Sequence, residues 1–166
     1  IGPANAITDD LMFYFFNKNF DRNGNVASKG KKNIKIFELY KKNNFFKKTF
    51  PKSLDRNNFH YLFKKLKKLR PHDALNTSSN FTIHSIIKLI DHKICENINE
   101  FILTGGGRKN RYMLNSLRNL RKDIKFSIID DYKFNGDLLE AQMFAYLGVR
   151  SIKKLILSSK STTGVK

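Results

Sequence analysis

The feature that most constrains this fold is a run of three glycines between an apolar stretch and a helical pattern. Residues 101–103, Phe-Ile-Leu, have the length and character of a short buried strand. Gly105, Gly106 and Gly107 follow them. Apolar residues then recur at helical spacing, at Met113, Leu114, Leu117 and Leu120. The pattern predicts a strand, a glycine turn and a helix start in succession.

Glycines at such a junction have two physical uses. They reach positive φ without strain, and without a Cβ they let another group approach the backbone closely. The start of a helix offers unpaired N–H groups and a partial positive charge, which favour an anion such as phosphate. Arg108 and Lys109 add full positive charges at the same point. Two interpretations stay open, a phosphate-binding loop and a plain strand-to-helix turn.

The segment before the glycines is predicted to be mainly helical. Apolar periodicity indicates a helix beginning near Ala6, one over residues 32–42, one from Ser53 or Asp55 to about Leu69, and one over residues 82–98. Loops or turns are predicted over residues 17–30, at Arg70-Pro71 and across the polar residues 76–80.

The segment after the glycines predicts a second short strand, over residues 125–130. A Gly136-Asp137 turn and a helix over residues 138–150 follow, and this small-residue-rich helix is expected to pack tightly. The two strands should be parallel and joined by the helix over residues 111–121. The expected fold class is therefore α/β, rich in helix and with an incomplete sheet.

Charge and composition restrict the partners. There are 32 Lys and Arg residues against 14 Asp and Glu, for a net charge of +18. A basic nucleic-acid or anionic-surface binding protein is one interpretation. The other is a compositional bias, because the lysines are spread along the chain and Asn, Ile and Phe are abundant as well. We favour the second, since neither an RNP-like motif nor zinc-finger spacing is found in the sequence.

Three further observations bound the chemistry. Cys95 is the single cysteine, so we expect a buried thiol and a reducing compartment such as the cytoplasm. The apolar runs are too short to span a membrane. The histidines lack zinc-ligand spacing, and a calcium-loop pattern beginning at Asp21 fails at Val26 and Lys32, so no metal site is predicted.

Four segments taken together resemble one known family, although each of them alone would be a weak match. They are Gly-Pro-Ala-Asn-Ala-Ile-Thr-Asp-Asp at residues 2–10, Pro-Lys-Ser-Leu-Asp-Arg-Asn-Asn-Phe at residues 51–59, Gly-Gly-Gly-Arg-Lys-Asn at residues 105–110, and residues 136–145, which contain Gly136-Asp137, Glu140-Ala141 and Phe144-Ala145. In this order they resemble the C-terminal part of the anhydro-N-acetylmuramic acid kinase family. The resemblance covers nearly the whole chain.

The resemblance implies a fold and an activity. The fold would be the C-terminal lobe of an actin-like, ribonuclease H-like sugar kinase, in which two α/β lobes hold ATP in the cleft between them. The activity would use ATP, Mg²⁺ and water to open the 1,6-anhydro ring of anhydro-N-acetylmuramic acid and to phosphorylate its 6-oxygen. The product would be N-acetylmuramic acid 6-phosphate, within cell-wall recycling.

The resemblance also implies two sets of site residues. The nucleotide set lies on the glycine loop and comprises Gly105, Gly106, Gly107 and Asn110. The substrate set comprises Gly2, Pro3, Asn5, Arg56 and Glu140. Glu140 also stands out by itself, because a buried acid on an apolar helix must be paired or hydrogen-bonded; a surface glutamate is the alternative.

Two departures from the family pattern shape our expectations. The acidic general base would fall just before Ile1, and the Gly-Thr-Ser-x-Asp-Gly phosphate-binding segment of the N-terminal lobe is not found in residues 1–166. We therefore expect these residues to be a partial C-terminal lobe that needs the N-terminal lobe, is inactive alone and is marginally stable. A homodimer is left open, and nucleic acid and membranes are not expected as partners.

Overall fold

The computed structural model describes residues 2–49, 52 and 55–159, and it contains six α-helices and two strands in that part of the chain. The helices are α1 (Ala6–Phe16), α2 (Ile34–Lys41), α3 (His60–Leu66), α4 (Pro71–Ile90), α5 (Arg111–Leu120) and α6 (Leu139–Ile152). The strands are β1 (Glu100–Leu103) and β2 (Lys125–Ile128). The prediction of a helix-rich α/β fold with a small sheet is confirmed.

Local sequence signals set where several helices begin. The Asn33 side chain accepts a hydrogen bond from the Ile36 N–H at the start of α2, and Pro71 occupies the first turn of α4. Both are favoured helix starts, since they satisfy or remove an N–H group that the helix itself cannot pair. Asp55 in the same way caps a short 3₁₀ turn, Arg56–Phe59, which leads into α3.

One hydrophobic cluster holds the first four helices together. Its fully buried side chains include Tyr40, Phe59 and Phe81, and Tyr40 stacks on Phe81 with ring centroids 4.3 Å apart. The predicted apolar stripe of α3 is confirmed, because Phe59, Leu62 and Leu66 are all buried in this cluster.

A second cluster holds the sheet. β1 and β2 pair in parallel, with Glu100 opposite Lys125 and Leu103 opposite Ile128. Phe126 of β2 packs with Met113 and Leu117 of α5 and with Ile83 of α4. The order of strand, glycine turn, helix and parallel strand predicted from residue 101 onward is therefore confirmed. The predicted burial of the first strand is wrong, because no residue of β1 is buried, and the second strand ends at Ile128 and not at residue 130.

The turn predicted over residues 76–80 is wrong, because these residues lie inside the 20-residue helix α4. Four of their five polar side chains are buried and Asn80 is half-buried, and partners far away in sequence satisfy most of them. The Asn76 amide donates to the Ala27 carbonyl at 2.8 Å, and the Ser78 hydroxyl lies 3.0 Å from that of Thr8. Tertiary hydrogen bonds thus allow a polar run, which usually favours turns, to remain helical.

The helix predicted over residues 82–98 ends earlier, at Ile90. His92 adopts an extended conformation, and its ring nitrogen accepts a hydrogen bond from the Ile94 N–H, which starts a separate 3₁₀ turn. Ile94 and Ile98 are exposed, so their helical spacing reflects no packed face. Cys95 is buried, as predicted.

The tight packing predicted for residues 138–150 is also wrong. No described residue of α6 is buried, and its apolar side chains are largely exposed: Met143, Phe144, Tyr146, Val149 and Ile152. Small residues allow close packing only where another element is present to pack against. In the described part of the chain, no helix combines the length and the apolar character needed to cross a membrane.

Candidate functional site

The glycine loop leaves its backbone open on one side. Gly105 has φ 68° and ψ −174°, a conformation that is essentially restricted to glycine. A Cβ placed on Gly105 or Gly106 would meet no atom within 4 Å. Gly107 is different, because a Cβ there would lie 3.1 Å from the Met113 side chain and 3.2 Å from the Asn5 amide nitrogen. The loop is therefore packed on one side, at Gly107, and accessible at Gly105 and Gly106.

The start of α5 follows the loop through a 3₁₀ turn, Gly106–Lys109. Asn110 caps the helix, because its side-chain oxygen accepts a hydrogen bond from the Met113 N–H at 3.0 Å. Asn110 is buried, so its orientation is fixed by packing as well as by the cap.

Two cavities meet at this loop. The first, of about 450 Å³, is lined by residues that include Asn5, Thr8, Gly106, Lys109 and Asn110. The second, of about 730 Å³, is lined by residues of the loop and of α6, among them Gly105, Gly106, Glu140, Met143 and Tyr146. Gly106 and Asp137 border both cavities. The exposed part of the loop thus separates two adjoining spaces.

The structure brings together only some of the residues predicted for the site. Asn5 and Asn110 share the first cavity with Gly106, and Glu140 shares the second. Glu140 is exposed, so of the two interpretations the surface glutamate is correct and the buried acid is not.

The other predicted residues lie away from the two cavities, or their side chains are outside the part of the chain that the structure describes. Gly2 packs beside the Tyr40 hydroxyl and the Phe45 and Phe59 rings, and the buried Pro3 is, like Gly2, outside the lining of both cavities. Arg56 begins the 3₁₀ turn before α3, and its side chain is outside the described part.

The positive charge expected of Arg108 is present beside the loop, but it is already paired. Its guanidinium is buried and donates to Asp130 through Nε at 2.5 Å and through Nη2 at 3.2 Å. It also donates to Asp137 at 3.0 Å and to the Gly105 carbonyl at 2.9 Å. These contacts neutralise its charge, since a bidentate carboxylate satisfies a guanidinium well.

Lys109 is also paired but remains accessible. Its Nζ lies 2.6 Å from Asp137 Oδ2, and both side chains are more than half exposed. Hydrogen bonds from Lys109 and then from Arg108 lower the pKa of Asp137, and the hydrogen bond from Arg108 lowers the pKa of Asp130. Two carboxylates therefore stay ionised beside the loop, each held by a cation.

Asp130 and Asp137 were missed as site residues in the sequence. Asp130 follows β2 closely, as the glycines follow β1. Because the carboxyl ends of parallel strands meet at one edge of a sheet, an acid after the second strand could have been placed beside the loop after the first. Within residues 2–49, 52 and 55–159, no three His, Cys, Asp or Glu side chains are grouped so that they could hold a metal ion.

Comparison with known proteins gives one consistent result. The sequence model of the family described as anhydro-N-acetylmuramic acid kinase matches residues 1–166. Proteins of that name from Roseobacter denitrificans and Rhodopseudomonas palustris are each 35% identical to this chain over 99% of its length. The matched part is 43% of the first relative and 44% of the second. The Pelagibacter ubique protein of that name is 36% identical over the whole chain, which covers 45% of it.

The chain thus spans less than half the length of the curated relatives it matches. The alternative of a basic nucleic-acid-binding protein is not favoured by these matches. A match over every residue, together with relatives of 34–36% identity that carry the same name, settles the family. This chain belongs to the anhydro-N-acetylmuramic acid kinase family.

Proposed function

We propose that this chain forms part of a kinase that opens the 1,6-anhydro ring of anhydro-N-acetylmuramic acid and phosphorylates the 6-oxygen. Water opens the ring, and the phosphoryl group passes from ATP to the sugar, so that ADP and N-acetylmuramic acid 6-phosphate are the products. Family membership supports the kinase class, and the finer reaction is our proposal. It would place the protein in cell-wall recycling.

The single observation that carries this proposal is the exposed backbone at Gly105 and Gly106, which stands between two cavities. Phosphoryl transfer depends chiefly on positioning two substrates and stabilising the charge on the phosphates. A loop that borders both spaces can contact the phosphates of a nucleotide on one side and a sugar on the other. Backbone N–H groups at the start of a helix supply hydrogen-bond donors and a partial positive charge, and both favour a phosphate.

On the nucleotide side, we assign Gly105, Gly106 and Asn110 to the phosphate region, with Gly107 supporting the loop from behind. Lys109 lines the first cavity and is accessible, so it can exchange Asp137 for a phosphate oxygen. The described residues provide no acidic cluster for a metal ion. Kinases usually bind Mg²⁺ through substrate phosphate oxygens, water and one or two carboxylates, and in this proposal the ion is held in that way.

Of the residues predicted for the sugar, Asn5 lines the first cavity together with Lys109 and Asn110, and Glu140 lines the second. An amide and a carboxylate can hydrogen-bond the hydroxyl and N-acetyl groups of an amino sugar. Gly2 and Pro3 would act indirectly, by fixing the start of α1, and the role predicted for Arg56 in sugar binding remains a proposal. In this proposal the general base comes from outside these residues.

We further propose that the fold is the C-terminal lobe of an actin-like kinase and that a second lobe completes it. The relatives are more than twice as long as this chain, which leaves ample sequence for such a lobe. The exposed apolar side chains of α6 offer it a contact surface. Apolar surface of this kind commonly marks an interaction site.

The nucleotide site can be tested by filling the open face of the loop. Gly106→Val places a branched side chain where a Cβ meets no atom within 4 Å, so the fold should be unaffected while the nucleotide is excluded. We expect the affinity for ATP, measured by saturation-transfer NMR and calorimetry, to fall about tenfold or more, or about 1.4 kcal/mol or more. The matched control is Gly148→Val in α6, where a Cβ also meets no atom within 4 Å.

Equal ATP affinity in the wild-type chain and Gly106→Val would contradict the assignment of the loop. A phosphorylation assay with the anhydro sugar completes the test. We expect turnover from a full-length relative and none from residues 1–166 alone, and turnover by the shorter chain would contradict the requirement for a second lobe.

A further inference from the structure

We propose that Arg108 is a positioning residue that holds the glycine loop in the conformation that receives nucleotide phosphates. This inference rests on the proposed function and goes beyond it, because it gives a role to a residue whose guanidinium is already bound by the Gly105 carbonyl, Asp130 and Asp137. Arg108 would act through the Gly105 carbonyl on one side and through Asp130 and Asp137 on the other.

The contacts of Arg108 join three separate parts of the chain. Nη1 donates to the Gly105 carbonyl at 2.9 Å, on the loop after β1. Nε and Nη2 donate to Asp130, which lies just after β2, and Nη2 also donates to Asp137, which precedes α6. Only about 2% of the Arg108 side chain is exposed. One buried cation therefore joins the glycine loop to the segment that follows β2 and to the turn that precedes α6.

The surroundings of Arg108 are shaped to hold it in this orientation. A Cβ on the buried Gly136 would lie 2.3 Å from Nε and 2.5 Å from Cζ, so any larger residue there would displace the guanidinium. The carbonyl that Arg108 binds belongs to Gly105, the residue with the glycine-only backbone conformation. Such conformations persist where the surrounding structure over-determines them. The Gly105 carbonyl accepts two hydrogen bonds, one from the Arg108 backbone N–H at 3.3 Å and one from Nη1, and only the second depends on the Arg108 side chain.

The charge balance separates Arg108 from its neighbour Lys109. Two cations, Arg108 and Lys109, face two carboxylates, Asp130 and Asp137. Lys109 can leave Asp137 without burying an unpaired charge, because both groups are more than half exposed. Arg108 cannot leave without giving up four hydrogen bonds to two carboxylates and a carbonyl, so it stays in place when a phosphate enters. Arg108 therefore holds the loop in place, whereas Lys109 can exchange Asp137 for a phosphate.

The test compares Arg108→Gln and Asp130→Asn with the wild-type chain and with Arg121→Gln. Arg121 is the matched control, because it pairs with Asp91 and Asp123 away from the loop. Without ligand, we expect faster hydrogen exchange in both loop variants at the amides of residues 108 and 110, which donate to the Gly105 and Gly107 carbonyls, and unchanged exchange there in Arg121→Gln. The Leu117 amide, within α5, reports whether the whole helix has been loosened instead.

Ligand affinity distinguishes positioning from a loss of stability. We expect the affinity for ATP to fall about tenfold to a hundredfold in Arg108→Gln, because small displacements of a positioning group have effects of this size. The affinity for adenosine, which lacks phosphates, should stay within about twofold of the wild type. Arg108→Lys should not rescue ATP affinity, since a lysine cannot reproduce the planar fork.

The outcomes separate the two proposals. If the loop amides and the ATP affinity are unchanged in Arg108→Gln, the positioning role is wrong while the proposed function stands. An equal loss of affinity for ATP and adenosine also overturns it, since it indicates general destabilisation. If the wild-type chain fails to bind ATP, the assignment of the loop to nucleotide phosphates fails, whereas faster exchange confined to the loop still supports Arg108 as its clamp.

Discussion

Glu100, the first residue of β1, accepts three side-chain hydrogen bonds. Ser127 donates at 2.6 Å, Lys125 lies 3.0 Å away, and the Tyr132 hydroxyl is a third donor to the same oxygen. The hydrogen bonds from Ser127, then Tyr132 and Lys125, lower the pKa of Glu100 from 4.5 to about 2. The carboxylate therefore links β1 to β2 and to the turn that follows β2.

This shift predicts how the stability of the fold depends on pH. The unfolded chain binds the Glu100 proton more tightly, so the stabilisation is complete above about pH 4.5 and is lost as the pH falls towards about 2. We expect Glu100→Gln to lower the thermal midpoint most at pH 5–6 and to have little effect near pH 2. Thermal unfolding followed by circular dichroism across this range measures the difference.

Tyr132→Phe is the companion variant, because it removes one donor and keeps the aromatic ring. It should reproduce part of the pH-dependent loss. A thermal midpoint that Glu100→Gln lowers equally at pH 2 and pH 6 would show that its effect comes from packing alone.

Residue identity predicted the loop better than it predicted the role of the charges beside it. Gly105 and Gly106 have the open backbone expected of them, since the absence of a side chain is a local property. The availability of Arg108 depends instead on Asp130 and Asp137, which lie 22 and 29 residues away in sequence. Spacing alone cannot reveal such a pairing before the sheet topology is known.

Among the elements, α5 could be predicted from local sequence, whereas α4 could not. The β1–loop–α5–β2 unit follows from local periodicity and glycine placement, and it was predicted nearly as observed. The long helix α4 was split, because the polar residues 76–80 favour turns by themselves. Their helical state depends on Ala27, Tyr112 and Thr8, which come from other elements.

Asn76 tests whether these tertiary hydrogen bonds hold α4 in place. Its amide donates to the Ala27 carbonyl at 2.8 Å and to the Tyr112 hydroxyl at 2.9 Å, and the side chain is buried. We expect Asn76→Ala to lower the free energy of unfolding by about 1–3 kcal/mol, since buried partners lose their hydrogen bonds. Urea denaturation measures this change.

Ser79 provides a matched control on the same helix. It is also buried, but in the described part of the chain its hydroxyl has no hydrogen-bond partner. Ser79→Ala shares the gain in helix propensity and should leave stability unchanged or raise it. Equal losses in Asn76→Ala and Ser79→Ala would mean that side-chain volume, and not hydrogen bonding, controls stability at this part of α4.

At the scale of the whole molecule, α4 joins two clusters and α6 belongs to neither. Phe81 of α4 lies in the cluster with α1, α2 and α3, whereas Ile83 and Ile90 of the same helix lie in the cluster with the sheet. The described residues of α6 contribute nothing to either cluster. Its apolar composition was visible in the sequence, but whether another element covers it was not.

The exposed face of α6 predicts where a second lobe would attach. Val149 and Ile152 lie three residues apart and are 53% and 84% exposed, so they are neighbours on the helix surface. Replacing both with serine should change the stability of this chain by less than about 0.5 kcal/mol. The binding partner for the test is the part of the Roseobacter denitrificans relative that has no counterpart here, and we expect its affinity to fall about tenfold or more, or about 1.4 kcal/mol.

Phe13→Ser is the control for this test, because Phe13 is 63% exposed on a different helix, α1. Sedimentation of the chain alone separates the competing occupant, a second copy of the same chain. If wild-type protein forms a dimer that the double serine variant abolishes, the face serves self-association and the attachment of a second lobe there is wrong. If the double variant binds the complementary part as tightly as wild type, the α6 face lies outside the contact, because removing two exposed apolar side chains from a true interface must weaken it.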